Sequence, residues 1–304
     1  MCGLGGFVAA PAEFAAFGAA SAVAMAMAIA SRGPDDCGAW SDAGSGVALA
    51  HRRLSVVDLS QAGHQPMHSA SGRWVIIFNG EIYNHTALRT QIEQQPWRGH
   101  SDTETLLAGF DRWGVRATIE RSVGMFAFAA WDRQAHRLVL GRDRFGEKPL
   151  YYGWQGNALL FGSELKALRA HPQWIGEIDR EALALYMRHN CVPGARSIYR
   201  GIRKLPPATL LTLTAEDLAR PGSAGNLETY WNLRDVVAAG RDHPWQGSDD
   251  EAVDELERVL RQAVAAQMMA DVPLGAFLSG GIDSSTVVAL MQAQSSLRHL
   301  RRRV

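Results

Sequence analysis

The second residue of the chain is a cysteine, and its place beside Met1 gives it a chemistry of its own. The sequence begins Met1-Cys2-Gly3. If Met1 is removed, which a small second residue permits, Cys2 carries a thiol and a free α-amine. Their ordinary pKa values are about 8.5 and about 8, so the amine can accept the thiol proton near neutral pH. Cys2 is therefore a candidate nucleophile with its own base. An exposed chain start without a role is the alternative.

A second candidate segment is Asn79-Gly80-Glu81, which follows the apolar run 74–78. An amide side chain beside a glycine N–H could form an oxyanion hole, because both donors are neutral and glycine lets a substrate approach the backbone closely. An ordinary Asn-Gly turn is the alternative.

Two charged residues are candidates for binding a small ligand. The Arg53 guanidinium could hold a carboxylate in a two-pronged grip. Asp102 follows Ser101, and Glu104 completes a capping-box pattern, so Asp102 could receive an ammonium or simply favour a helix N-terminus. A surface arginine and a capping carboxylate are the alternatives.

A glycine-rich loop, Ser279-Gly280-Gly281-Ile282-Asp283-Ser284-Ser285, indicates a different chemistry. It follows a predicted short strand, Gly275–Leu278, and opens a predicted helix that ends near Gln294. Backbone N–H groups at a helix N-terminus and small hydroxyls form an anion cradle. The loop lacks the Gly-Lys-Ser/Thr of a Walker A motif. It predicts phosphate binding of another type.

The elements that must position these residues change along the chain. Short apolar and β-branched segments predict strands at 47–50, 54–58, 74–78, 125–131, 137–140, 150–153 and 158–161. Helices are predicted at about 84–95, 103–113 and 163–170, with a buried apolar helix over 14–30 and a long amphipathic helix over 249–269. This mixture predicts packed sheets flanked by helices.

Composition excludes several classes of function. Lys+Arg and Asp+Glu are 31 each, so no net field attracts nucleic acid or an anionic membrane. The apolar segment 14–30 has no basic residues before it and is about 17 residues long, which argues against a signal peptide or a membrane span. The three cysteines form no CxxC and do not cluster with histidines. They fit a reducing cytoplasm and predict no metal held by side chains alone.

Further short motifs occur in a fixed order between residue 2 and about residue 294. In addition to the segments above, they are Arg32-Gly33-Pro34-Asp35, Arg53–Asp58, Ile82-Tyr83-Asn84, Ser101–Glu104, Gly124–Phe128, Arg142–Gly146, Lys148–Tyr152 and Ser163-Glu164. The whole set resembles the glutamine-hydrolysing asparagine synthetases. No single motif is specific, but the set is.

The resemblance implies an α+β fold with three parts. Residues 2–208 would form a glutaminase domain, an N-terminal-nucleophile αββα sandwich. Residues 209–248 would be a linker. Residues 249–304 would be the truncated start of an α/β adenine-nucleotide hydrolase-like domain with a pyrophosphate loop.

The resemblance also implies residue roles. The nucleophile falls on Cys2, and the oxyanion hole on Asn79 and the Gly80 N–H. The glutamine-binding residues would be Arg53, Leu54, Ser55, Val56 and Val57 for the α-carboxylate, with Glu81 and Asp102 for the α-amine. The ATP-binding residues would be Leu278, Ser279, Gly280, Gly281, Asp283, Ser284 and Ser285. No metal ligand is assigned.

In the family that the chain resembles, ammonia from glutamine passes through a tunnel to a second site. There ATP and Mg²⁺ activate aspartate as an aspartyl-adenylate, and ammonia displaces AMP to give asparagine. The glutaminase half needs no cofactor. Glutamine, aspartate and ATP are thus the implied partners, without nucleic acid or membrane, in the cytoplasm. The oligomeric state stays open, with a homodimer as one alternative.

Members of that family continue well beyond the 279–285 loop, whereas this chain stops at Val304. We therefore expect the chain alone to be competent only as a glutaminase. One alternative is a synthetase-like amidotransferase that acts on another carboxylate, in polysaccharide or secondary-metabolite assembly. Another is an inactive remnant or a glutamine-binding module. The loop argues against the amidotransferases that make glucosamine phosphate or phosphoribosylamine.

Overall fold

A computed structural model of the chain describes residues 1–92 and 96–295. The chain divides into two compact units, Met1–Asn232 and Leu233–Val304, here called the first and the second unit. The last residues of the predicted helix 84–95 and of the predicted synthetase part 249–304 lie outside the described residues.

The first unit is built on two six-stranded antiparallel sheets. Its strands, within the described residues, are β1 (Gly3–Val8), β2 (Asp36–Asp42), β3 (Val47–Arg53), β4 (Met67–His68), β5 (Trp74–Ile82), β6 (Gly124–Asp132), β7 (Arg137–Arg142), β8 (Tyr151–Gln155), β9 (Ala158–Gly162), β10 (Ile202–Lys204), β11 (Thr209–Leu213) and β12 (Asn226–Thr229). The strand order is β10-β8-β9-β1-β3-β2 in the first sheet and β12-β11-β7-β6-β5-β4 in the second.

Helices accompany both units. In the described part of the first unit they are α1 (Pro11–Met27), α2 (His85–Thr90), α3 (Asp102–Trp113), α4 (Val115–Arg121), α5 (Leu165–Arg169), α6 (Arg180–His189) and α7 (Ala215–Leu218), with 3₁₀ turns at Ala30–Arg32 and Gln61–Gly63. The second unit has α8 (Leu233–Asp242), α9 (Asp249–Gln267) and α10 (Ile282–Gln294). None of the described helices combines the length and the apolarity needed to cross a bilayer.

Alternation of side chains along the strands explains the layers of the first unit. On β5, Val75 and Ile77 face the other sheet, whereas Trp74 and Ile76 pack against α3. The outer face of the first sheet is apolar too and packs against α1 and α5. Because each sheet is apolar on both faces, helices must cover the outer ones. The predicted αββα sandwich is confirmed.

The predicted strand 54–58 is instead a loop, because the first sheet ends at Arg53. The Arg53 guanidinium donates hydrogen bonds to the backbone carbonyl oxygens of Val57, Asp58 and Ser60. These bonds curl the chain around the arginine and use carbonyls that a strand would direct to its neighbours. The curled segment becomes one wall of a cavity.

Strand β5 is longer than predicted and continues to Ile82. Asn79 and Gly80 therefore lie inside a strand, paired in register with Ala127 and Phe126 of β6, rather than in a turn after it.

The predicted buried helix over 14–30 is buried on one side only. Phe14, Met25 and Ala26 pack against the first sheet, while Met27 is exposed. Gly18, with φ +63°, interrupts the helix. Alanines on the outer face cost little when exposed, so apolar composition alone overstated the burial of α1.

Two segments near the unit boundary also differ from expectation. Residues 209–229, assigned to a linker, carry β11 and β12 at the edge of the second sheet. Residues 275–278 form no strand in the second unit, where the described residues hold no other strand. A lone strand leaves its N–H and C=O groups unpaired, so it does not form.

Candidate functional site

Several of the predicted site residues lie together at one end of the space between the two sheets. Leu4, Leu49 and Ile77 face this space, and residues two apart on a strand share a face. Cys2 before β1, Arg53 on β3 and the Asn79/Glu81 side chains of β5 therefore face it too. Strand β1 runs antiparallel to β3 with Gly3 opposite Arg52, which brings the start of one strand to the end of the other.

A cavity of about 220 Å³ opens at this end. It is smaller than the roughly 300–1,000 Å³ of pockets for drug-sized ligands, so it suits a small metabolite. The predicted residues that line it are Cys2, Arg53, Leu54, Val56, Val57, Asn79, Gly80, Glu81 and Asp102. Ser55 does not line it; its N–H donates to Asp35 Oδ2 at 2.8 Å.

The cavity is also lined by residues to which the sequence assigned no ligand-binding role, among them Gln65, Met125 and Lys148. Met125 and Lys148 were quoted within motifs, but no role was assigned to them. Gln65 was not considered. Its Oε1 accepts the Phe78 N–H at 2.7 Å, which no sequence pattern signals.

Cys2 lines the cavity and contacts Leu54, the first residue after β3. The Leu54 N–H lies 3.4 Å from the Cys2 sulfur, and the sulfur lies 3.6 Å from the Leu54 carbonyl oxygen. The Cys2 carbonyl accepts a hydrogen bond from Arg32 Nε at 2.8 Å. Burial raises the pKa of the Cys2 thiol, and the Leu54 N–H opposes that rise. Met1 also lines the cavity.

The direction of the Gly80 N–H follows from its neighbours on β5. The Phe78 N–H donates to Gln65 and the Ile82 N–H donates to Asp102 Oδ2 at 2.8 Å. Both acceptors lie outside β6, so both N–H groups leave β5 on the side away from that strand. Residues two apart direct their N–H groups to the same side. The Gly80 N–H therefore also points away from β6.

The residue of β6 opposite Gly80 does not accept a hydrogen bond from the Gly80 N–H. Phe126 lies opposite Gly80, but its N–H and C=O groups bond with Asp143 at 3.1 Å and 2.9 Å. A Cβ at position 80 would lie 2.3 Å from the Met125 carbonyl oxygen, so only glycine fits there. Position 80 thus offers a backbone donor without a side chain.

The Asn79 side chain supplies a second donor. It is 1% exposed, and no described residue accepts a hydrogen bond from its Nδ2. Leaving a buried polar group unpaired costs about 1–3 kcal/mol. An unpaired amide in the wall of a cavity is therefore suited to a ligand oxygen.

Glu81 and Asp102 are two carboxyl groups whose ionisation is disfavoured. Burial, and then the charge of Asp102, raise the pKa of Glu81 to about 7, while Lys148 opposes the rise. Burial raises the pKa of Asp102 to about 6, against hydrogen bonds from the Ile82 and Thr103 N–H groups. No described residue bonds to Glu81 Oε1. A ligand cation beside the pair would favour both ionised forms.

Arg53 was predicted to hold a carboxylate, but part of its guanidinium already donates hydrogen bonds to backbone carbonyls. Nη1 donates to the Ser60 carbonyl at 3.1 Å, and Nη2 donates to the Val57 and Asp58 carbonyls. A guanidinium has five N–H donors, so donors remain for a ligand. Arg53 both shapes the cavity wall and carries positive charge within it.

The predicted phosphate loop lies in the second unit and opens α10 with Gly281 as the N-cap. The first backbone bond of this helix runs from the Ser285 N–H to the Gly281 carbonyl at 3.1 Å. The Ser279 and Ser284 hydroxyls are 3.0 Å apart. Gly280 has φ +82°, a conformation that favours glycine. Leu278, just before the loop, is exposed.

Comparisons with known proteins match the two units to different families. A family model for a glutamine amidotransferase domain matches residues 1–231, and a model for asparagine synthase matches residues 255–302. A putative glutamine-hydrolysing asparagine synthetase from Mycobacterium tuberculosis (strain ATCC 25618 / H37Rv) is 38% identical over 308 residues, 95% of this chain and 45% of the relative.

Asparagine synthetase [glutamine-hydrolyzing] 3 from Bacillus subtilis (strain 168) is 36% identical over 271 residues, 86% of this chain and 41% of the relative. The chain thus spans less than half the length of these two relatives. Glutamine phosphoribosylpyrophosphate amidotransferase from B. subtilis, solved with ADP and GMP, matches with a TM-score of 0.53 at 17% identity. It covers 76% of this chain and 49% of its own. That likeness concerns the fold alone.

Proposed function

The chain belongs to the glutamine amidotransferase domain family, and on that premise we propose that its first unit hydrolyses glutamine to glutamate and ammonia with Cys2 as the nucleophile. One observation carries the proposal. A single small cavity brings the Cys2 thiol together with the unpaired Asn79 amide and the unpaired Glu81 carboxyl oxygen.

The chemistry starts with removal of Met1, which frees the Cys2 α-amine. The amine takes the thiol proton, and the thiolate attacks the side-chain amide carbon of glutamine. The Asn79 amide and the Gly80 N–H donate hydrogen bonds to the oxyanion that forms. The carbon–nitrogen bond breaks, the amine returns its proton to the leaving nitrogen, and ammonia departs. Water then cleaves the thioester, with the amine as base, and releases glutamate.

The two ends of the amino-acid group fit opposite charges in the cavity. The remaining Arg53 donors would receive the α-carboxylate, with backbone support from the loop that contains Val56 and Val57. Glu81 and Asp102 would receive the α-ammonium, and that cation would return both carboxyl groups to their ionised forms. The free cysteines at positions 2, 37 and 191 support a reducing, cytoplasmic location.

For the second unit we propose the nucleotide site of an asparagine synthetase. The N–H groups of residues 282–284 have no acceptor within α10, and with the two serine hydroxyls they suit a phosphate. ATP, when bound, would supply activation of a carboxylate, with aspartate as the acceptor indicated by the relatives' names. Mg²⁺, when present with ATP, would be held in part by the phosphates of the nucleotide.

The test of the glutaminase uses purified chain whose N-terminus has been checked by mass spectrometry. Chain without Met1 should release glutamate from glutamine, and an electrophilic glutamine analogue should label Cys2. Cys37 and Cys191 are exposed and serve as internal controls. Label on Cys37 or Cys191 alone, or no glutamate from chain without Met1, would overturn the proposal.

A further inference from the structure

Lys148 is a residue of the cavity that the chemistry above does not use. Its side chain is 6% exposed and lines the same cavity as Cys2 and Glu81. Among the described residues no carboxylate forms an ion pair with its ammonium. Burying an unpaired ammonium is costly, and burial lowers the pKa of Lys148 accordingly. A cost of this kind inside a reactive cavity points to a function.

The charged groups around Lys148 and Glu81 come from several elements. Asp102, at the start of α3, disfavours the ionised form of Glu81, and Lys148, between β7 and β8, favours it. Tyr83, just after β5, is kept neutral by a pKa raised to about 12. The other charged groups that act on Lys148 are Glu147, Asp143 and Arg32. The N-terminal ammonium lies in the same cavity, and burial and, more weakly, Lys148 lower its pKa.

Resting on the glutaminase function, we propose that Lys148 is a positioning residue whose ammonium, in the same small cavity, favours the ionised form of Glu81 so that Glu81 can receive the α-ammonium of glutamine. Two neighbouring carboxylates resist simultaneous ionisation unless a cation offsets their repulsion. Before glutamine enters, Lys148 is the cation that does so for Glu81. Lys148 would repel the α-ammonium directly, so it acts through Glu81.

The experiment measures KM and kcat for glutamine hydrolysis between pH 6 and pH 9. In Lys148→Met the carboxyl group of Glu81 stays protonated to higher pH. KM should therefore rise about tenfold at pH 7 and approach the unsubstituted value at pH 9, with kcat within about twofold. Lys148→Arg should restore KM, because it restores the charge. Lys166→Met, at an exposed lysine paired with Glu164, is the matched control.

Two further variants separate this role from others. In a Glu81→Gln background, Lys148→Met should not change KM further. A rise in KM that is equal at every pH, or persists in that background, would overturn the proposal in favour of direct substrate contact. An unchanged KM would overturn it too. The absence of glutamate release by unsubstituted chain would instead refute the glutaminase itself.

Folding of the variant can be checked independently. The backbone N–H of Lys148 donates to Asp143 Oδ2, and its carbonyl accepts from Arg142 Nε. Neither bond involves the side chain, so Lys148→Met should melt close to the unsubstituted chain. If it melts early, Lys148→Gln replaces it in the same pH series with the same expected result.

Discussion

The two units present their candidate sites in opposite ways. In the first unit the polar groups lie inside: Asn79 is 1% exposed and Asp102 is 6% exposed. In the second unit the glycine-rich loop is at the surface, and its neighbour Ile282 is 86% exposed. Burial makes the first site sensitive to every nearby charge, as the pKa values of Glu81 and Asp102 show. A helix start needs no burial to attract an anion, since its N–H groups suffice.

The difference extends to what stabilises each site. Asn79 and Gly80 belong to β5, a strand paired with β6 along its whole length and covered on both faces. In the second unit, Val253, Leu256 and Val259 on α9 are exposed. Segments with few buried apolar contacts open at lower free energy. We therefore expect the first site to be rigid and the loop to be the more readily deformed.

The largest effect that tests this comparison is loss of the nucleophile. Cys2→Ala should lower glutamate release by at least about 10³-fold, because no other group in the cavity can form the thioester. Steady-state assay of glutamate measures this. Cys37→Ala, at an exposed cysteine, should keep full activity. Equal rates for Cys2→Ala and unsubstituted chain would show that the hydrolysis occurs elsewhere.

The next effect tests the buried donors. Asn79→Ala should lower kcat about 10²- to 10³-fold with little change in KM, because its Nδ2 would act only on the oxyanion. Asn157→Ala is a suitable control, since Asn157 lies outside the cavity and bonds to Glu13. A change confined to KM would assign Asn79 to ground-state binding instead.

The sequence predicted the residues of this cavity better than the elements that carry them. Cys2, Arg53, Asn79 and Asp102 were identified by motif, and the structure places all four around one cavity. Their roles stay predictions. The short apolar segments predicted packed sheets flanked by helices, whereas the αββα sandwich itself was implied by the family resemblance.

What could not be predicted depends on contacts between distant residues. The sequence of residues 54–58 predicts a strand, but in the structure the Arg53 side chain donates hydrogen bonds to carbonyls of this loop and prevents strand pairing. The end of β5 depends on acceptors from Gln65 and Asp102, which are remote in sequence. The unpaired state of Lys148 is likewise a property of the folded cavity, and no local spacing encodes it.

A smaller effect follows from the raised carboxyl pKa values. Glu81 and Asp102 titrate near pH 7 and pH 6, and below these values they are neutral and cannot attract an ammonium. kcat/KM for glutamine should therefore fall as pH is lowered from 8 to 6, by about tenfold over this whole interval for the Glu81 proton and further where Asp102 is also protonated. In Glu81→Gln the part of this decline near pH 7 should disappear, whereas Glu177→Gln, at an exposed pair with Arg200, should retain it. An identical profile in Glu81→Gln would contradict the assignment.

The smallest expected effect on glutamine hydrolysis tests the independence of the two sites. Gly280→Val should change glutamate release by less than about twofold, because Gly280 belongs to the second compact unit. Its φ of +82° strains any side chain, so the start of α10 should open more readily and its amides should exchange faster with solvent. Gly275→Ala is the matched control, since the glycine has no such φ and no atom lies within 4 Å of the added Cβ. A large loss of glutaminase activity in Gly280→Val would mean that the exposed loop governs the buried site, and the contrast between the units would fail.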